Sequence, residues 1–247
     1  MKDSSPVLSP KQRAAFAGCD LVAFDLDGTL LRSATYAVDA VLEGLHAVLL
    51  RYGHAEGAEP QGMPSREAVR ERIGQPFHTF YAGLLPQALA EDAAVAEELH
   101  REIYARELVA IQSGRAELFD GAERTLAALS EAGYALALIS NASTSYFEAV
   151  IEAHRLRRFF RYCECLGTAR QRPKAAMLST ALEQLGARRA VMVGDKASDF
   201  EAALAHGFPS IAMRHGYGTT EERRHATLEL THLEQILELF PERGTCR

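Results

Sequence analysis

The stretch Leu21-Val22-Ala23-Phe24-Asp25-Leu26-Asp27-Gly28-Thr29-Leu30 decides how the chain is read. Its first six residues form an apolar run broken only by Asp25, and Asp27-Gly28 then supplies a turn. A short run of this kind, bounded by turn chemistry, reads as a buried strand. Strands buried on both faces favour a parallel sheet, and that expectation sets the search for partners further along.

Partners follow at regular intervals. Tyr134 to Ile139, Tyr162 to Leu166, Ala190 to Val193 and Ser210 to Met213 read as four more strands. Helical stretches separate them at Ala122 to Glu131 (before the second strand), Ser143 to about Arg155, Ala175 to Leu185 and Ser198 to Ala205. Alternation of this sort over residues 120–213 predicts an open α/β sheet with right-handed crossovers. Residues 35–112 break the rhythm: Tyr36 to Tyr52 and Ala93 to Ile111 have helical length and period, and no strand-like run lies between them. The expectation is a core domain of residues 1–34 and 113–247, with an inserted all-helical domain at 35–112. Gly53, Gly57, Pro60, Gly62 and Pro64 mark an exposed loop inside the insertion. The last segment, Leu228 to Phe240, carries an apolar stripe and is expected to be a surface helix packed on the sheet.

Bulk composition narrows the class without naming a function. Of the 247 residues, 47% are hydrophobic and 24% charged, ordinary values for a globular protein, and the formal net charge is −6. That balance argues against broad attraction to nucleic acid or to an anionic membrane surface. No segment approaches the roughly 20 apolar residues needed to cross a bilayer, and the N-terminal residues lack the unbroken apolar stretch of a signal peptide. A cytoplasmic protein, monomer or homodimer, is expected. The four cysteines (Cys19, Cys163, Cys165, Cys246) have neither the density of a disulfide framework nor a second pair to complete a zinc site.

Ligands of open α/β sheets gather beyond the carboxyl ends of the strands. Those ends carry Asp25 and Asp27, then Ser140 and Asn141, then Lys174 at the start of a helix, then Asp195 with Asp199. Carboxylates converging on one point repel unless a cation sits among them. Oxygen ligands suit a hard divalent ion such as Mg²⁺. Asp25, Asp27 and Asp195 are the candidate ligands, with Asp199 in support. Beside such an ion a carboxylate can attack an anionic phosphorus. Asp25 is the candidate nucleophile, and Asp27 the acid that protonates the departing oxygen and later deprotonates water. Ser140 and the amides near Asn141 are placed to hold phosphoryl oxygens, and Lys174 to add positive charge. Lysine is scarce, four residues against 23 arginines with two of the four in the N-terminal tail, so its use at 174 points to a need for a compact charge.

The run from Phe24 to Leu30 resembles the first signature of the haloacid dehalogenase-like superfamily. Leu138-Ile139-Ser140-Asn141 is similar to the second, Lys174 to the third, and Val193-Gly194-Asp195-Lys196-Ala197-Ser198-Asp199 to the fourth. Together they span roughly residues 20–215. The resemblance implies a Rossmann-like core with strand order 5-4-1-2-3, a helical cap over the substrate, and signature roles for Gly28 and Thr29 in phosphate or substrate binding. Asp27 separates the chain from dehalogenase members, which lack the second aspartate. Residues 35–112 contain no lysine, which sets it apart from the phosphonoacetaldehyde hydrolases with their cap Schiff base. Arg72-Ile73-Gly74-Gln75-Pro76, Glu117 to Gly121 and His215-Gly216-Tyr217-Gly218 resemble the phosphoglycolate phosphatase group. Two departures are Arg32-Ser33 in place of an Asp-Ser pair, and Pro173-Lys174-Ala175 in place of Lys-Pro.

The implied activity is Mg²⁺-dependent hydrolysis of a small phosphorylated metabolite, 2-phosphoglycolate or a similar organic phosphate, through an aspartyl-phosphate on Asp25. Arg72, with Arg66 and Arg70, is the candidate partner for a substrate carboxylate; the i,i+4 spacing of Arg66 and Arg70 also fits a solvated helix face. Alternatives are a sugar-phosphate mutase of the β-phosphoglucomutase type and a non-catalytic metabolite-binding regulator.

Overall fold

A computed structural model describes residues 9–52, 63–170 and 172–243. In chain order the elements are α1 (Pro10–Ala15), β1 (Leu21–Phe24), α2 (Ala34–Arg51), α3 (Arg66–Arg72), α4 (Phe77–Ala82), α5 (Gln87–Ala90), α6 (Ala93–Gln112) and α7 (Ala122–Glu131). There follow β2 (Ala135–Ser140), α8 (Thr144–Ala153), β3 (Tyr162–Cys165), α9 (Lys174–Leu185), β4 (Ala190–Gly194), α10 (Ala197–Leu204), β5 (Ser210–Met213), α11 (Thr220–Arg223) and β6 (Leu228–Leu230). Short 3₁₀ turns occupy Leu156–Arg158 and Leu233–Glu238.

The strands form one parallel sheet in the order β3-β2-β1-β4-β5-β6. The five strands expected from sequence take the order 5-4-1-2-3, and a sixth adds to the β5 edge. β1 lies between β2 and β4, pairing Phe24 with Leu138 on one side and Val193 on the other. Leu21, Val22, Ala23 and Phe24 are all fully buried, which explains why β1 lacks the apolar-polar alternation of a half-exposed strand. Because β1, β2 and β4 run parallel in register, the residues that follow Phe24, Ile139 and Val193 emerge at the same edge of the sheet.

The segment Leu228 to Phe240 is not the single surface helix expected. It forms β6 and then a 3₁₀ turn. Leu228 and Leu230 are buried and Glu229 is exposed, the period of two that a strand needs, while Leu233, Ile236 and Phe240 bury the following turn.

Between residues 34 and 112 the described elements are helices. α2 and α6 pack along their length, burying Val41, Leu45, Val48 and Leu49 on one side and Val95, Leu99 and Ile103 on the other. Three short helices, α3 to α5, connect them. Residues 53–62 of the expected loop, with Gly53, Gly57, Pro60 and Gly62, lie outside the described residues, as does Cys246. Cys19, Cys163 and Cys165 are free thiols. Among the described residues no helix is long and apolar enough to cross a membrane.

Candidate active site

The polar residues at the strand ends converge. Among the described residues Asp25, Asp195 and Asp199 form one group, all buried, with ligand-capable oxygens within 4.8 Å of one another. Lys174, the first residue of α9, places its Nζ 2.5 Å from Asp25 Oδ1 and 2.6 Å from Asp199 Oδ1. Lys174 is 3% exposed, so its charge is held by these partners rather than by water. Burial alone opposes that charge, but the Asp199 and Asp25 carboxylates outweigh it and raise the ammonium above its ordinary value.

Asp199 is fully committed. Its Oδ2 accepts from the backbone N–H of Asp195 at 3.1 Å and of Lys196 at 3.0 Å, and its Oδ1 accepts from Lys174. Gly194 makes this possible, since a Cβ there would fall 2.2 Å from Asp199 Cγ. Asp195 is cradled in the same manner. Its Oδ2 accepts from the N–H groups of Tyr217 at 2.6 Å and Gly218 at 3.2 Å. A Cβ on Gly216 would fall 2.2 Å from Asp195 Cβ, and one on Gly218 would fall 1.7 Å from the Asp195 carbonyl oxygen. The His215-Gly216-Tyr217-Gly218 stretch after β5 is thus a close-fitting seat for Asp195.

Gly28 and Thr29, expected to serve phosphate or substrate binding, lie against Asp195. Gly28 adopts φ +79°, and a Cβ there would fall 2.6 Å from Asp195 Oδ2. The Thr29 hydroxyl lies 3.5 Å from Asp195 Oδ1. Both residues position a carboxylate. The reversal at Gly28 also separates the two aspartates of the first signature. The Asp27 carboxylate, expected among the metal ligands, is not in the group that Asp25 forms with Asp195 and Asp199. Its Oδ1 accepts from the hydroxyl of Tyr146 at 2.7 Å, and Tyr146 lies 2.7 Å from the hydroxyl of Tyr36. Tyr146 has one proton and gives it to Asp27, so Tyr36 must donate to Tyr146. Burial raises the Asp27 carboxyl above the ordinary aspartate value, against the lowering effect of the Tyr146 bond.

Asp27, Ser140, Asn141, Tyr146 and Glu107 line a cavity of ≈ 60 Å³, together with Ile73, Gly74, Gln75, Phe77, Phe80 and Tyr81. Ser140 is buried, and its hydroxyl accepts from the Ala142 N–H at 3.2 Å. Asn141 ties the sheet edge to the helical segment: its Nδ2 donates to the Gly74 carbonyl at 3.0 Å, and its own carbonyl accepts from the Phe77 N–H at 3.2 Å. Lys196 makes a second tie, donating from Nζ to the carbonyls of Glu71 at 2.8 Å and Tyr217 at 3.1 Å.

Arg72 does not reach this cavity. It lines a surface groove with Glu71, Gln75 and Lys196, and a Cβ on Gly83 would fall 2.2 Å from its Nη1. Arg66 pairs with Asp39 at 2.5 Å, and the Arg70 guanidinium lies over the Tyr217 ring. The arginines of α3 therefore serve the outer face of the helical segment.

Sequence reasoning missed Tyr146, Glu107 and Lys196. Lys196 carried a usable signal, because only Lys174 and Lys196 lie outside the N-terminal tail, and both are buried here.

The donor set fits a hard divalent ion. Asp25 Oδ2 is buried without a hydrogen-bond partner, an arrangement that is costly unless something else engages it. Three carboxylates against one ammonium leave an excess of two negative charges. Burial, with Asp199 and Asp195 adding to it, pushes the Asp25 carboxyl well up, and burial with Asp199 pushes Asp195 up to about 7. Without a cation, then, both tend to hold protons. All the donors are oxygens.

The family model for haloacid dehalogenase-like hydrolases matches residues 19–207, a span that includes every residue of this cluster. The chain belongs to the haloacid dehalogenase-like hydrolase family. It is an enzyme of the hydrolase class, and its similarities run in two directions. It is 31% identical over 211 residues to a phosphoglycolate phosphatase of Vibrio cholerae, covering 81% of this chain and 87% of that protein. It is 30% identical over 240 residues to tyrosine-protein kinase PtkA of Mycobacterium tuberculosis, covering 96% of this chain and 73% of that protein. The crystal structure of a predicted phosphoglycolate phosphatase from Haemophilus somnus superposes with a TM-score of 0.71 at 20% identity, over 91% of this chain and 99% of that one. The last likeness is one of fold.

Proposed function

We propose that this hydrolase cleaves a small phosphomonoester through a phosphoryl group carried on Asp25, with Mg²⁺ bound by Asp25 and Asp195. The observation that carries the reading is the pairing of Asp25 with Lys174 inside a buried, oxygen-only acidic group that retains one orphaned carboxylate oxygen. Bound there, the ion would supply the positive charge that keeps Asp25 ionised and lets an anionic phosphoryl group approach it.

The chain's own residues do the rest. Lys174 fixes Asp25 through Oδ1 and offsets charge on the phosphoryl oxygens. The Asp25 carboxylate attacks phosphorus and the bond from phosphorus to the ester oxygen breaks. Asp27, raised by burial, gives its proton to that oxygen, which leaves as an alcohol. Water then attacks the phosphorus of the aspartyl-phosphate and Asp27 takes its proton. Inorganic phosphate leaves and Asp25 is restored. Tyr146 holds Asp27 at Oδ1, which directs the other oxygen to this traffic. The segment 35–112 acts as a cap over the reacting groups, joined to the core at Gly74 and Glu71.

Phosphate release from a panel of small esters with Mg²⁺ tests the reading. The expected result is free phosphate rather than an isomerised ester, lost on chelation and reduced by roughly 10³-fold or more in Asp25→Asn. Turnover that survives Asp25→Asn contradicts it.

A further inference from the structure

The leaving-group cavity has an unusual charge make-up. Glu107, from the middle of α6, is 7% exposed and lines it together with Asp27. None of the described residues that line it is Arg, Lys or His. The two buried lysines nearby are committed, Lys174 to Asp25 and Asp199, and Lys196, whose stem passes Gly74, to the carbonyls of Glu71 and Tyr217. His100 lies behind the wall, stacked on Tyr81, with its Nε2 3.3 Å from the Ser143 hydroxyl; burial lowers its pKa, which favours the neutral ring. The three arginines of α3 all point elsewhere, onto Asp39, the Tyr217 ring and the Gly83 face. The remaining wall is aromatic, with Phe77, Phe80, Tyr81 and Tyr146.

An anionic leaving group in this space would face two carboxyl groups and no cation. A carboxylate buried there would lose its hydration with no cation to offset the loss. A hydrogen-bond donor placed there meets the opposite situation: a carboxyl acceptor at Glu107, with aromatic faces that also accommodate a cation. The lining therefore offers no cation to the carboxylate that Arg72 was expected to receive.

We propose that Glu107 is the specificity residue of the cavity, and that it selects phosphate esters whose leaving alcohol carries a hydrogen-bond donor, a hydroxyl or an ammonium, and rejects those carrying a carboxylate. This rests on the phosphatase reading above and names its substrate class. It sets the chain apart from its phosphoglycolate phosphatase relatives in substrate, though not in chemistry.

Three esters of nearly equal size isolate the variable: 2-phosphoglycolate, 2-hydroxyethyl phosphate and O-phosphoethanolamine. Their dissociation constants are measured by calorimetry on the full chain carrying Asp25→Asn, with Mg²⁺, so that none turns over. The hydroxyl and ammonium esters are expected to bind about tenfold or more tighter than 2-phosphoglycolate. Adding Glu107→Gln is expected to bring the three within about threefold of one another, because an amide cannot ionise beside an ammonium and offers a donor to a carboxylate. Equal or tighter binding of 2-phosphoglycolate to the Glu107 protein overturns the proposal, as does failure of all three to bind. A ranking unchanged by Glu107→Gln also overturns it. If Glu107→Gln does not fold, the ranking in the Glu107 protein decides alone. The phosphatase reading fails separately, if the unsubstituted enzyme with Mg²⁺ releases no phosphate from these or any other ester.

Discussion

The two sides of the reaction space are built on different principles. The sheet side, with Asp25, Lys174, Asp195 and Asp199, is charged, and its geometry is set by backbone: amides of Asp195, Lys196, Tyr217 and Gly218 hold the carboxylates, and glycines let them come close. The facing side, with Asp27, Tyr146, Tyr36 and Glu107, is held by side-chain hydroxyls and carries its acidity as protons kept in place by burial. One side is made to hold fixed charge and the other to move or store a proton. On the proposed mechanism a nucleophile and an acid can then sit two residues apart in the chain without sharing an electrostatic environment.

The contrast can be broken most severely on the backbone-built side. Gly218→Ala would place a Cβ 1.7 Å from the Asp195 carbonyl oxygen, and backbone cannot swing aside as a flexible side chain can. A shift of about 1 Å in a reacting group costs on the order of 10²-fold in rate, and overpacking costs about 1–3 kcal/mol in stability. Steady-state kinetics and thermal unfolding of this variant should show both losses together.

On the facing side the effect should be smaller and of another kind. Tyr146→Phe removes the donor to Asp27 Oδ1 while leaving the charged group untouched. A fall of roughly tenfold in kcat is expected, and the alkaline limb of the kcat/KM profile, where Asp27 must still carry its proton, should move to higher pH, because the Tyr146 bond lowers the Asp27 pKa. A loss of activity with the profile unmoved would mean that Tyr146 serves packing alone.

The smallest effect on turnover, and the clearest on stability, belongs to Glu107. Burial raises its pKa from 4.5 to about 8, with Asp27 adding to the rise. Between those values the native state holds a proton that the unfolded chain has released, so rising pH favours unfolding. Each pH unit in that window removes about 1.4 kcal/mol from stability. Glu107→Gln cannot release the proton. Its unfolding free energy should gain on that of the unsubstituted protein as pH rises from 5 to 8, by on the order of a few kcal/mol in total. Parallel stability curves would show that Glu107 is already ionised in the fold.

The charged side was legible in the sequence and the facing side was not, for a physical reason. Asp25, Ser140 and Asp195 each follow an apolar run that reads as a strand, and a parallel sheet brings such ends together whatever the loops do. Their mutual placement follows from topology. Tyr146 and Glu107 lie within helices, where one polar residue among many gives no sign of which face will be covered. Glu107 is buried only because α6 lies against α2 and beneath the short helices, an arrangement that no local period encodes. Arg72 shows the converse. It stands two residues from Gly74, which lines the cavity, but its side chain runs toward Gly83. The strand at Leu228–Leu230 was missed because three residues are too few to set a period of two against the longer apolar stripe that follows. Lys196 was open to the same inference from lysine scarcity that drew attention to Lys174.

Whether Asp25 carries the phosphoryl group is settled most directly by rapid acid quench of the enzyme during turnover of a small phosphate ester with Mg²⁺, followed by mass spectrometry of its peptides. The peptide containing Asp25 should bear a phosphoryl group that disappears as substrate is exhausted and is absent from Asp25→Asn. A phosphoryl group found on another residue, or none found while phosphate is being released, would contradict the account.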